Sequence, residues 1–160
     1  MKVIQKVSSG SIQLSQNFYL SEYTDSATAT RLGIDNSPDP LAALHLFRSA
    51  AQLEQVRSLL GNKAIFINSG FRSVALNQAT HGSQTSDHLR GEATDFVCRS
   101  FGTALQVAEA IRKSNIDFGQ LIYEGNWVHI SLPVPGKVKQ VLTAKFSAGQ
   151  KTQYLEGIVA

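Results

Sequence analysis

The run Ala93-Thr94-Asp95-Phe96-Val97 puts a carboxylate at the centre of a segment that otherwise reads as a buried strand. Taking a carboxylate out of water is costly unless a cation or hydrogen-bond donors meet it. A fold that buries this strand must therefore bring a partner to Asp95. Two histidines are placed to serve. His88 lies in Ser86-Asp87-His88-Leu89-Arg90-Gly91, a polar loop just ahead of the strand, and Gly91 permits the chain to turn between them. His129 lies in Trp127-Val128-His129-Ile130-Ser131, a second strand, and meets Asp95 if the two strands are neighbours. Two imidazole nitrogens and one carboxylate oxygen leave a fourth tetrahedral position for water, as a catalytic zinc site requires. The spacing also fits a plainer arrangement, in which each histidine is a satisfied structural residue. A His/His/Asp set does not select one divalent metal.

The rest of the chain reads as α+β. A weak helix is expected over 20–31, capped by Ser21 and ended by Gly33. Residues 35–40 are turn-rich. The strongest helix pattern follows, with Asp39 as cap, Pro40 in the first turn and Gly61 past the end. Leu41, Leu44, Ala51, Val56 and Leu59 are expected on its buried face, with Arg48, Glu54 and Arg57 toward solvent. Residues 64–67 read as a buried strand, and a short helix starts near Val74. Residues 81–90 form a long polar loop, and 103–113 a second amphipathic helix. Strands are expected at 120–123 and 127–132, joined by the tight turn Glu124-Gly125-Asn126, and near 141–146, followed by a polar tail. Helices come mainly first and strands cluster late. The expected fold is a small, mostly antiparallel sheet flanked by helices, in one domain over 1–160, with 1–16 and 147–160 peripheral or flexible.

Composition removes several alternatives. A single cysteine, Cys98, excludes an intramolecular disulfide and a cysteine-rich metal site, and reads as a small buried hydrophobe. There is no Gly-x-Ser-x-Gly nucleophile elbow, and Cys98 has no histidine near it in sequence. Met1-Lys2-Val3-Ile4-Gln5-Lys6 has no apolar run behind its lysine, so no signal peptide is expected. No stretch approaches the roughly 20 apolar residues of a membrane span. The net charge of +3 suits an anionic partner. The basic residues are scattered and not interleaved with aromatics, so nucleic acid is not expected to be that partner.

Taken together, Ser86-x-His88-x-x-Gly91-x-Ala93-x-Asp95 and the later Trp127-x-His129 resemble the zinc D-alanyl-D-alanine carboxypeptidase family. That family includes phage L-alanyl-D-glutamate endolysins and shares its fold with the hedgehog signalling domain. Ser69-Gly70-Phe71-Arg72-Ser73 is similar to the family's Ser-Gly-aromatic-Arg-Ser segment. The stretch 20–38, with Arg31-Leu32-Gly33-Ile34-Asp35-Asn36, resembles a phage and prophage branch, so the likeness covers roughly residues 17–132.

The resemblance implies one Zn2+ ion held by His88, Asp95 and His129, and peptidoglycan stem peptides as substrate. Many relatives place the catalytic carboxylate three residues before the last histidine, where this chain has Asn126, which cannot act as a base. Glu124, five residues before His129, is assigned instead, with Asp87 as the fallback. Arg72 is expected to bind a substrate carboxylate or carbonyl, and Ser86 to hydrogen-bond substrate or an atom behind the ligands. Trp127 is expected to pack, His81 to be solvated and His45 to be structural.

An endopeptidase of the phage lysis or virion type is favoured over a D-Ala-D-Ala carboxypeptidase, because a secreted carboxypeptidase would usually carry an export signal. Such a protein is made in the cytoplasm and reaches the wall by holin-type release or as part of a virion. It is expected to be a monomer. The alternative, kept open by Asn126, is a zinc-containing wall-binding module without catalysis.

Overall fold

The computed structural model describes residues 12–159, and expectations for residues 1–11 lie outside the described residues. The region expected as one weak helix is two short ones, α1 (Leu20–Thr24) and α2 (Ala27–Leu32). The break comes from Ser26, whose hydroxyl accepts the Ala29 N–H and starts α2 afresh. Ser21 lies inside α1, which begins instead at Tyr19, with the Glu22 carboxylate accepting the Tyr19 N–H. Gly33 ends α2 in the left-handed conformation, as expected.

Helix α3 (Pro40–Leu59) has the expected cap, the Asp39 carboxylate accepting the Ala42 N–H. Of the five residues expected on its buried face, only Val56 is buried. Leu41 and Leu44 are 62% and 58% exposed, while Ala42, Leu46, Ser49, Ala50, Leu53 and Val56 are buried. Leucines lie on both sides of this helix, so leucine content does not choose the face. The small side chains of Ala42, Ser49 and Ala50 do, because the Gly91 turn packs directly on them. The Ser49 hydroxyl donates to the Gly91 carbonyl at 2.8 Å. A Cβ on Gly91 would meet the Ala42 carbonyl oxygen at 2.7 Å.

The strands are β1 (Phe66–Ser69), β2 (Ala93–Val97), β3 (Gln120–Tyr123), β4 (Val128–Ser131), β5 (Gln140–Lys145) and β6 (Gln153–Glu156). Helix α4 (Val74–Ala79) and a 3-10 turn (Asp87–Arg90) lie between β1 and β2, and α5 (Ala104–Arg112) between β2 and β3. The sheet order is β1-β2-β4-β3-β5-β6. Because β3 and β5 run parallel, the sheet is mixed and six-stranded, and not the small, mostly antiparallel one expected. After β4 the chain passes to the far side of β3 and starts back from the same end of the sheet, so β5 runs parallel to β3. Gln153–Glu156, expected as polar tail, pairs with β5 as the sixth strand. The strand expected to be buried at 64–67 is the edge strand β1, on which Phe66 is 55% exposed.

The two faces of the sheet divide the work. Phe96, Leu121, Val128 and Ile130 join Leu46, Leu53, Val107 and Ile111 of α3 and α5 in one core, where Leu14 and Phe18 are also buried. Cys98 is buried there too, as expected. The opposite face carries a row fixed by register: Ser69 opposite Asp95, Asp95 opposite His129, His129 opposite Ile122, Ile122 opposite Leu142. Among the described residues no helix is long and apolar enough to cross a membrane.

Candidate metal centre and cleft

Asp95 and His129 are cross-strand neighbours on the row just described, with His129 Nδ1 2.8 Å from Asp95 Oδ1. His88 reaches the same point from the 3-10 turn, and its Nε2 is 3.2 Å from Asp95 Oδ2. One ligand atom from each of the three lies within 4.8 Å of the others, and all three residues are buried.

The hydrogen bonding of His88 decides what the cluster can hold. Its Nδ1 lies 2.6 Å from the Gly70 carbonyl oxygen, which can only accept. Nδ1 therefore carries the proton, and Nε2 presents a lone pair toward the carboxylate of Asp95. Nε2 is buried without an aligned hydrogen-bond partner. A lone pair facing a carboxylate out of water calls for a cation between them. The donor set of two imidazoles and one carboxylate fits a divalent transition metal with an open position.

The electrostatics agree. Burial lowers the His88 pKa and outweighs the carboxylate beside it, so the ring is held neutral, the form that ligates. Burial alone would raise Asp95, but the imidazoles beside it, His129 through its hydrogen bond, prevail and hold it well below the usual carboxylate range. Burial pulls His129 down, and the hydrogen bond and charge of Asp95 more than reverse it.

The Ser69-Gly70-Phe71-Arg72-Ser73 segment is the strap that positions His88. Gly70 accepts from the His88 ring, and the Arg72 N–H donates to the His88 carbonyl at 3.0 Å. Gly70 itself is pressed against α1, where an added Cβ would lie 2.8 Å from the Tyr23 Cα. Asn36 ties the strap down, donating to the Thr24 and Phe71 carbonyls and accepting the Ser73 N–H. Gly70→Ala must shift the strap or α1. We expect a loss of about 1–3 kcal/mol of stability and a zinc affinity lowered about 10- to 100-fold. Denaturant melts and zinc titration of the variant check both. Unchanged zinc affinity would show that His88 is oriented by something other than Gly70.

The cleft above the cluster has a volume of about 540 Å³, with Arg72, His81 and Ser86 on one bank and Leu142, Phe146 and Tyr154 on the other. Glu124 lies in it, two residues along from Ile122 on the same face. Its carboxyl is pushed up to about 7, first by burial and then by the charge of Asp95, with His129 and Arg72 pulling the other way. Asn126 is turned off this face and lines a separate groove with Tyr123 and Thr103. Asp87, the fallback base, is engaged elsewhere. Its carboxylate is 2.5 Å from Arg90 Nη2 and 2.8 Å from Lys137 Nζ, and its side chain is 2% exposed.

Arg72 points into the cleft, its Nη2 3.4 Å from Asp95 Oδ2 and its Nε donating to the Ser69 hydroxyl at 3.1 Å. The Ser86 hydroxyl accepts the His88 N–H at 3.4 Å and caps the 3-10 turn, so it supports the ligand loop while lining the cleft. His81 is an exposed residue of the cleft rim. His45 sits on α3 with Nδ1 2.9 Å from the Arg90 carbonyl oxygen. Trp127 packs on Phe146 with ring centroids 5.9 Å apart. Lys137, Phe146 and Tyr154 have no counterpart among the residues expected from sequence, because they lie on or beside strands whose cleft-facing role depends on the crossover. Asn36 stood in the run Arg31 to Asn36, where its side-chain amide was the available signal.

Residues 16–131 match the peptidase M15 family. A stretch of 74 residues is 35% identical to the zinc D-Ala-D-Ala carboxypeptidase of Streptomyces albus G, covering 46% of this chain and 28% of that protein. The aligned stretch thus spans little more than a quarter of that curated relative. The family, the zinc-dependent relative and the His88-Asp95-His129 cluster agree on Zn2+ as the cofactor.

Proposed function

Because the chain belongs to the peptidase M15 family, we propose that it is a zinc-dependent peptidase that cleaves a stem-peptide bond of bacterial peptidoglycan. The observation that carries the proposal is the buried convergence of His88, Asp95 and His129, with the His88 Nε2 lone pair unmet. These three residues hold the zinc. When bound, the ion supplies Lewis acidity toward a carbonyl oxygen and toward water.

The chain's own residues do the remaining work. Glu124 takes the proton of the attacking water and delivers it to the leaving amine, a task suited to a carboxyl near pH 7. Arg72 anchors a substrate carboxylate or carbonyl through its planar fork. Ser86 keeps the His88 loop in place and offers its hydroxyl at the cleft wall.

An endopeptidase is favoured over a carboxypeptidase, since the cleft continues on both sides of the ligands, toward Arg72 and toward Tyr154. The run Arg31 to Asn36 supports a place in a phage or prophage branch, with holin-type release or a virion as the route to the wall. A wall-binding module without catalysis was suggested by Asn126, and Glu124 in the cleft supports the enzyme over it.

Purified muropeptides digested with the protein and read by mass spectrometry test the proposal. Cleavage within the stem is expected, lost with a chelator and restored by zinc. Chelator-resistant cleavage would sink the metal mechanism. Release of terminal D-alanine alone would replace the endopeptidase by a carboxypeptidase, and binding without cleavage would leave the module.

A further inference from the structure

The family match ends at residue 131, yet part of the cleft is built beyond it. Strands β5 and β6 supply that part. Register puts Leu142 on the row of Asp95, His129 and Ile122; Ala144, two residues on, shares that face, and Tyr154 is its partner on β6. In a flat sheet β6 would stand four strands from β2, about 19 Å away. Asp95 and Tyr154 nevertheless line one cleft, so the hairpin curls over the metal face. The Trp127–Phe146 ring contact ties its turn end to the β3–β4 turn, and the Lys137–Asp87 ion pair ties the preceding connection to the His88 loop.

We propose that Tyr154 is a substrate-binding, specificity-determining residue: its phenol hydroxyl donates a hydrogen bond to a neutral peptide carbonyl of the stem, and its ring, with Phe146 and Leu142, forms the apolar wall for that side of the substrate. Tyr154 stands on the wall with 56% of its surface exposed, on the opposite bank from Arg72. The two banks differ in what they accept. Arg72 offers a cation to an anionic group. Burial raises the Tyr154 pKa, so its phenol stays a protonated donor. A neutral hydroxyl suits an amide carbonyl, so the substrate is oriented across the metal row by the contrast.

This inference rests on the stem-peptide reading above, and the test separates the two. Steady-state cleavage of a muropeptide is compared for the wild type, Tyr154→Phe and Tyr154→Leu, all zinc-loaded. Binding to the metal-free proteins is followed by the fluorescence of Trp127, the only tryptophan, which lies in the cleft. Tyr154→Phe should raise KM about tenfold, the worth of one hydrogen bond, with kcat and zinc content kept. Its muropeptide Kd should weaken by a similar factor, and Tyr154→Leu should weaken it further. If the wild type cleaves and both variants match it in KM and Kd, the inference is overturned and the peptidase reading stands. If the wild type binds without cleaving and the variants bind less tightly, the inference stands and the catalytic reading fails. If the wild type neither binds nor cleaves stem peptides, both fall.

Discussion

Asp95→Asn is expected to leave the protein unable to hold zinc at stoichiometry and to cut its peptidase rate by at least about a thousandfold. The reason lies in where the carboxylate sits. It is the anionic member of a buried cluster and is contacted by His88, His129 and Arg72 together. An amide keeps the shape and removes the charge that offsets a dication. The metal-free protein is also expected to lose about 3 kcal/mol, as when one partner of a buried ion pair is deleted. Metal analysis of the purified variant and a denaturant melt with chelator present measure the two effects. A variant with one zinc per chain and a normal rate would show that the centre lies elsewhere.

Glu124→Gln separates the metal from the chemistry. Zinc content should be unchanged, because Glu124 is not one of the clustered ligands. The rate should fall about 10²- to 10⁴-fold, the usual contribution of a positioned general base. Stability gives a second readout with a definite sign. The Glu124 pKa in the folded protein is raised from 4.5 to about 7. Its neutral form is therefore favoured by the fold, and the stability it lends below pH 4.5 is lost as pH rises through about 7. Glutamine has no such loss. The metal-free variant should outlast the wild type at pH 8 by up to about 3 kcal/mol and match it at pH 4. A cation held by the three ligands favours the ionised carboxylate, so the gap should narrow on zinc loading. Equal melts at both pH values would contradict the burial of Glu124.

The cluster of His88, Asp95 and His129 was legible because each carries its own chemistry. A carboxylate within an apolar strand, a histidine beside a glycine turn and a histidine within a strand constrain one another before any packing is known. The place of Glu124 in the cleft was legible for a related reason, as the nearest carboxylate upstream of His129. Asn126 lies in the turn between β3 and β4 and lines the other groove, while Glu124, two residues past Ile122 on the metal face, reaches the cleft. The buried face of α3 was not legible. Its side chains were chosen by the close approach of Gly91, a residue some forty positions on, and no local periodicity contains that information. The sixth strand was hidden because Gln153–Glu156 is exposed at three of its four positions, with Leu155 intermediate, so it lacks the apolar alternation of a half-buried strand. With the strand hidden, Tyr154 was hidden too. Both depend on the crossover past β3.

That crossover also sets a timetable. Chains emerge from the ribosome N-terminus first, and His88, Asp95 and His129 all precede β5 and β6. The nascent chain thus presents its full set of metal-capturing groups while the far bank of the cleft is still to be made. β5 then adds beside β3, on the side away from β4, without disturbing the pairing of β2 with β4. The clustered side chains therefore leave the ribosome before the hairpin that completes the cleft over them.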